Sequence, residues 1–189
     1  MKKTALDYAL KIRLPIILFV IASTFVVTFY VSRPERDGIG YAPEQPIKFS
    51  HKIHAGEMEM DCQYCHTGVA KGRHALVPSV NVCMNCHTIT KKNEPEIIKL
   101  TQYYEEGIPL PWKRIHKVPE YAYFNHSVHV NKGIQCESCH GNVSQMEVVA
   151  QVRGFTMAAC LECHREPHEN LPYLEEVNNG PENCAACHR

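Results

Sequence analysis

The chain carries no net charge: 20 Lys and Arg stand against 20 Asp and Glu, so the polypeptide has no general attraction for nucleic acid or an anionic membrane surface. It also has no spare cysteine. All ten fall into five Cys-x-x-Cys pairs, which leaves none for a separate disulfide framework. Chain is scarce too, because 189 residues allow only about thirty per pair once the N-terminal region is set aside, too few for each pair to have its own side-chain core. Something other than side chains is expected to fill the interior.

What is present names the filler. Each pair is followed at once by histidine, giving motif 1 (Cys62, Cys65, His66), motif 2 (Cys83, Cys86, His87), motif 3 (Cys136, Cys139, His140), motif 4 (Cys160, Cys163, His164) and motif 5 (Cys184, Cys187, His188). A zinc ribbon or a redox disulfide needs the cysteines but makes no demand on the next residue. Covalent haem does, because two thiols three residues apart form thioethers to the two vinyl groups and the adjacent imidazole reaches the iron. The sequence therefore predicts five covalently bound haem c groups, with the five motif histidines as proximal ligands. Their propionates would add roughly ten negative charges, so the basic residues Lys113, Arg114 and Arg153 are expected near them.

Seven histidines remain for five sixth positions: His51, His54, His74, His116, His126, His129 and His168. Four belong to a repeat. Phe49-Ser50-His51-Lys52-Ile53-His54 precedes motif 1, and Phe124-Asn125-His126-Ser127-Val128-His129 precedes motif 3 at nearly the same distance. Histidines three apart share one side of a helical turn, and each can reach a different iron. His51, His54, His126 and His129 are expected distal ligands, with His116 as the fifth, while His74 and His168 are left facing solvent. Met146 or Met157 could instead supply a thioether to motif 4, although packing on a haem face is the preferred reading for both. An iron capped on both sides transfers electrons without binding substrate, so no catalytic site of the chain's own is expected.

Leu14 to Val31 is uncharged, long enough as a helix to span a bilayer core, and followed by no small-x-small cleavage signal. Lys2, Lys3, Lys11 and Arg13 precede it, which predicts a cytoplasmic segment 1–13, a retained single-pass anchor 14–31 in the inner membrane, and everything beyond Arg33 on the extracytoplasmic side. Pro15 suits a first helical turn. An extended linker is expected over 32–46, then a two-haem module with a connecting helix over 47–123 and a three-haem module over 124–189. The connecting helix should start at Asn93-Glu94-Pro95-Glu96, with Asn93 as cap, and stop at Gly107, with Ile97, Leu100 and Tyr104 on one face. Trp112, Tyr103, Tyr104, Tyr121 and Tyr123 are expected to pack around haem edges. The fold class expected is mostly irregular, with short α-helices packed on haems and almost no sheet.

The F-x-H-x-x-H and Cys-x-x-Cys-His modules resemble the class III and cytochrome c7 multihaem cytochromes. The run WKRIHKVPEYAYFNHSVHVNKGIQCESCHGNVSQMEVV from Trp112, with FTMAACLECHR, CQYCHTGV and VPSVNVCMNCH, is more closely similar to the pentahaem cytochrome subunit of alternative complex III. That resemblance implies an electron relay inside a quinol-oxidising complex, with membrane and iron-sulfur subunits as partners and a monohaem cytochrome c or terminal oxidase as acceptor. His116 stands in a histidine-bearing segment of that family, and His74 matches none of its motifs. The alternative is a freestanding membrane-anchored quinol dehydrogenase, which would need a quinol pocket of its own.

Overall fold

The computed structural model describes Asp7, residues 9–31 and residues 38–188. These fall into two units divided between Asp37 and Gly38. In the first, a π-helical turn, Ala9–Arg13, runs into helix α1, Leu14–Val31. Pro15 lies in the first turn of the α-helical part, but helical structure starts earlier than the uncharged run, at Ala9. The wider π turn lets the chain stay helical ahead of a residue that cannot donate to the carbonyl four positions back. Apolar side chains emerge all round α1, with Phe19 73% and Phe25 72% exposed, over about 35 Å of helix. Such a surface needs apolar surroundings on every side. Lys2, Lys3 and residues 32–37 lie outside the described residues.

The second unit is built from short helices: α2 (Cys62–Cys65), α3 (Val80–His87), α4 (Pro95–Glu105), α5 (His126–Val130), α6 (Glu137–His140), α7 (Met157–Arg165), α8 (Pro167–Asn170) and α9 (Cys184–Cys187). A π turn at Lys52–Glu57 and a 3-10 turn at Val143–Gln145 complete the helical segments. No strand occurs among the described residues. The cysteine motifs all start or lie on helical turns, and local capping explains three of them. Asp61 accepts from Gln63 N–H, Thr156 from Ala159 N–H and Asn183 from Ala186 N–H, so the turns carrying motifs 1, 4 and 5 begin where a polar side chain closes their first free donors.

Residues 38–46, expected as part of an extended spacer, are instead tied into this unit. Gly40 N–H donates to Gln151 O at 2.7 Å, and Gln151 N–H to Tyr41 O at 3.2 Å. Gly38 has φ +74° and lies so close to the buried Gln151 amide that a Cβ would meet it at 2.7 Å. The Gln45 side chain both donates to and accepts from the Lys113 backbone, at 2.9 Å each way. Proline and glycine here mark a docked irregular segment, not a free one.

Only seven apolar side chains are buried among the described residues. Five of them, Ile47, Val80, Met84, Leu100 and Leu110, form one cluster joined by Cys83, Ile97, Tyr103 and Trp112. The cluster lies under α3 and α4, so motif 2 rides on the one sizeable side-chain core. The connecting helix starts one residue later than expected: Glu94 is the N-cap without a side-chain cap bond, and Pro95 opens the helix. Gly107, at φ +66°, follows its end. Tyr103 faces the core while Tyr104 is 45% exposed, which corrects the expected inward face by one residue. Leu100 is 3% exposed, and Leu100→Ala is expected to cost about 2–5 kcal/mol in denaturant unfolding of the haem-loaded protein.

Candidate functional site

The two F-x-H-x-x-H segments fold into nearly the same object. Phe49 meets His51 edge-on at 4.8 Å and stacks on His54 at 4.4 Å; Phe124 meets His126 edge-on at 4.8 Å and stacks on His129 at 4.6 Å. The second histidine of each donates Nδ1–H to the carbonyl four residues back, His54 to Ser50 O and His129 to Asn125 O, both at 2.8 Å. Each phenylalanine thus holds two imidazoles at fixed angles, a role that the sequence pattern contained without declaring. The turns differ in kind: the first is π-helical, and the second is α-helical with Asn125 as its cap.

Four of the five motif histidines are oriented the same way. His66 Nδ1–H donates to Leu76 O at 2.7 Å, His87 to Thr90 O at 3.0 Å, His164 to Pro181 O at 2.8 Å and His188 to Tyr121 O at 2.9 Å, while His126 donates to Arg73 O at 2.7 Å. A carbonyl only accepts, so the proton sits on Nδ1 and the lone pair is left on Nε2. This is the arrangement of a metal-binding imidazole whose other nitrogen is spent on the backbone.

Ring separations test the fit to a shared iron. Imidazole nitrogens bind a first-row metal at about 2.0–2.1 Å, and the ring centre lies about 1.15 Å behind, so two rings on one iron have centres about 6.3–6.5 Å apart. The observed pairs are His54 with His87 at 6.1 Å, His129 with His164 at 6.2 Å and His126 with His140 at 6.4 Å. His51 lies close enough to His66 to feel its charge: burial first, then His66 and His54, lower His51 to about 4. Burial first, then His116, His126 and His66, lower His140 to about 4. Burial also lowers His116 and His129. These rings are neutral at neutral pH, the form that ligates.

His116 stands apart. Its ring meets His140 edge-on at 4.3 Å, too close for an iron between them, with Phe155 at 6.0 Å on another side. Its Nε2 is buried without a hydrogen-bond partner, as is His51 Nδ1. An orphaned buried nitrogen calls for a partner that polypeptide does not supply. The aromatic neighbour of His188 is Tyr121, at 5.9 Å. His74 and His168 are exposed, and Met157 is 62% exposed.

The ten cysteines form no disulfide with one another. Burial pushes Cys65, Cys83, Cys139 and Cys160 up, and burial followed by the adjoining Cys62 pushes Cys136 up to about 11. Among the described residues no three His, Cys, Asp or Glu side chains converge as a metal cage. Paired thiols, one histidine beside each pair and a facing imidazole fit haem c.

Fold and site together resemble those of class III and c7-type multihaem cytochromes c. Residues 28–107 match the class III cytochrome C family, and residues 122–189 match the family described as cytochrome c7 and related cytochrome c. The chain is also 28% identical over 167 residues, 77% of its own length and 77% of the other's, to the multiheme cytochrome c subunit of a menaquinone reductase from Nitratidesulfovibrio vulgaris.

Proposed function

We propose that this chain binds five haems c and relays electrons within a quinone-linked membrane oxidoreductase complex, as the pentahaem subunit of an alternative complex III does. The observation that carries the reading is the set of three imidazole pairs at 6.1–6.4 Å, five of whose six rings commit Nδ1 to a backbone carbonyl. Bound haem supplies one-electron redox chemistry. The polypeptide fixes five of these six rings through backbone carbonyls, which leaves their Nε2 lone pairs where they would hold the iron. His51 serves motif 1, His54 motif 2, His126 motif 3 and His129 motif 4. His116, whose Nε2 is buried without a partner and whose ring cannot share an iron with His140, is the fifth distal ligand.

The apolar helix through Val31 anchors the chain in the inner membrane, with residues 38–188 on the extracytoplasmic side. Quinol-oxidising iron-sulfur and membrane subunits are the donors; a monohaem cytochrome c or terminal oxidase is the acceptor. The relative's name favours a second direction of flow, toward menaquinone. Reducing the purified complex with a menaquinol analogue, and separately with a reduced monohaem cytochrome c, decides which partner is the donor.

The relay reading expects a mass equal to the chain plus five haems, five low-spin signals in electron paramagnetic resonance of the oxidised protein, and no carbon monoxide binding on reduction. A stoichiometric high-spin signal in the native protein would overturn it. Rapid reduction of the isolated chain by the menaquinol analogue would favour a freestanding dehydrogenase.

A further inference from the structure

We infer that the haem sites do not follow one another in sequence order but form a row 2–1–3–4–5, in which motif 2 reaches the others through motif 1. The inference rests on the relay reading and adds the route through it.

Hydrogen bonds and ring contacts give the order joint by joint. Motifs 2 and 1 meet directly: Asn85, inside motif 2, donates to the Tyr64 hydroxyl inside motif 1 at 3.2 Å, and one turn carries both His51, beside His66, and His54, opposite His87. Motifs 3 and 4 share the other turn, through His126 opposite His140 and His129 opposite His164, and Arg153 on the approach to motif 4 donates to Ser138 O inside motif 3 at 3.3 Å. Motif 4 is latched to the approach to motif 5: Gly180 N–H donates to His164 O at 2.9 Å, and Arg165 pairs with Glu182 at 2.8 Å.

The two halves could join through motif 2 or motif 1, and the structure joins them through motif 1. The loop just after motif 1 receives α5: Ser127 N–H donates to Gly72 O at 3.0 Å, His126 to Arg73 O at 2.7 Å, and the Asn131 amide to Ala70 O at 3.2 Å. From the other side the turn bearing His51 and His54 lies on the segment after motif 3, where Lys52 N–H donates to Met146 O at 3.0 Å and Lys52 pairs with Glu147 at 3.6 Å. Cys62 of motif 1 adjoins Cys136 of motif 3. Among the described residues, the hydrogen bonds and ring contacts of α3 and α4 reach none of motifs 3, 4 and 5.

Haem held at these sites would supply one-electron chemistry along the row, between the complex's donor and its acceptor. Because motif 2 reaches the other sites through motif 1, motif 1, first in the chain, is the second station of the row.

Locating the haems in the loaded full-length chain by electron cryomicroscopy tests the row. The expected result is that the nearest neighbour of haem 2 is haem 1, that haem 1 lies between 2 and 3, and that haem 5 is nearest haem 4. Haems in the order 1–2–3–4–5 would overturn the inference while leaving the relay intact; fewer than five haems would instead overturn the relay reading. A kinetic test uses Gly56, where a Cβ would meet Ser144 O at 2.3 Å in the joint between motifs 1 and 3. A photoreductant is attached at the 83% exposed Ile89 through Ile89→Cys, beside motif 2. Gly56→Ala should then keep fast reduction of sites 2 and 1 but slow sites 3 to 5 several-fold, whereas Glu106→Ala, at an exposed position away from every joint, should change neither. An unchanged rate in Gly56→Ala would overturn the joint.

Discussion

His54→Ala is expected to convert one of the five irons from low-spin to high-spin in the oxidised protein, and to create one carbon monoxide site per chain on reduction where the native protein has none. His54 is opposite His87 at 6.1 Å, its Nδ1–H is held by Ser50 O, and Phe49 stacks on its face at 4.4 Å. Alanine removes the sixth ligand, and His51, the one other histidine on that turn, is assigned to motif 1. His54→Met should keep the iron six-coordinate and raise its reduction potential, because thioether ligation favours the ferrous state. The exposed His74 gives the control: His74→Ala should alter neither spin state nor potential. Electron paramagnetic resonance, carbon monoxide difference spectra and a spectroelectrochemical titration read all three variants. If His54→Ala stays entirely low-spin, the pairing of His54 with motif 2 is wrong.

The motif chemistry was legible because haem attachment demands neighbouring residues: two thiols and an imidazole within five positions cannot be hidden by tertiary structure. The F-x-H-x-x-H repeat was legible for the same reason, since one helical turn carries both rings. What pairs with each ring was not. The acceptors Leu76, Thr90, Pro181, Tyr121 and Arg73 act through backbone carbonyls, which every residue type possesses, so no sequence signal marks them. His116 was visible as a candidate, but its edge-on contact with His140 depends on how residues 110–122 cross the unit without regular structure. The segment 38–46 was read as a spacer because proline and glycine suit free and docked irregular chain alike; the bonds to Gln151 and Lys113 come from partners about a hundred and about seventy residues away. On α4 the face shifted by one residue, from Tyr104 to Tyr103, since Ile97 and Leu100 leave room for either as the third apolar position.

Haem-filled folds also move the sensitive positions. In an ordinary domain the largest losses come from truncating buried aliphatic side chains, but here only Ile47, Val80, Met84, Leu100 and Leu110 form such a cluster. Elsewhere the imidazoles and the backbone that orients them carry the structure. A small residue pressed against a ligand ring therefore matters more than its size suggests.

Gly180 is that residue. A Cβ there would meet His164 Cδ2 and Cγ at 2.4 Å and its Cβ at 2.9 Å, the rigid base of the ring and not the far end of a flexible chain. The contact cannot open by moving the backbone alone, because Gly180 N–H donates to His164 O at 2.9 Å and the next residue's carbonyl, Pro181 O, receives the His164 Nδ1 proton at 2.8 Å. Gly180→Ala must either break this pair of bonds or turn the imidazole away from His129, 6.2 Å across the site. The expected cost is about 1–3 kcal/mol of stability from overpacking. One low-spin signal should also be lost or shifted, that of motif 4, while the thioethers to Cys160 and Cys163 keep the haem count at five. Thermal denaturation, resonance spectra and intact mass separate these effects. A variant with lowered stability but five unchanged low-spin signals would mean that the ring tolerates the methyl, and that Gly180 shapes the chain without positioning the ligand.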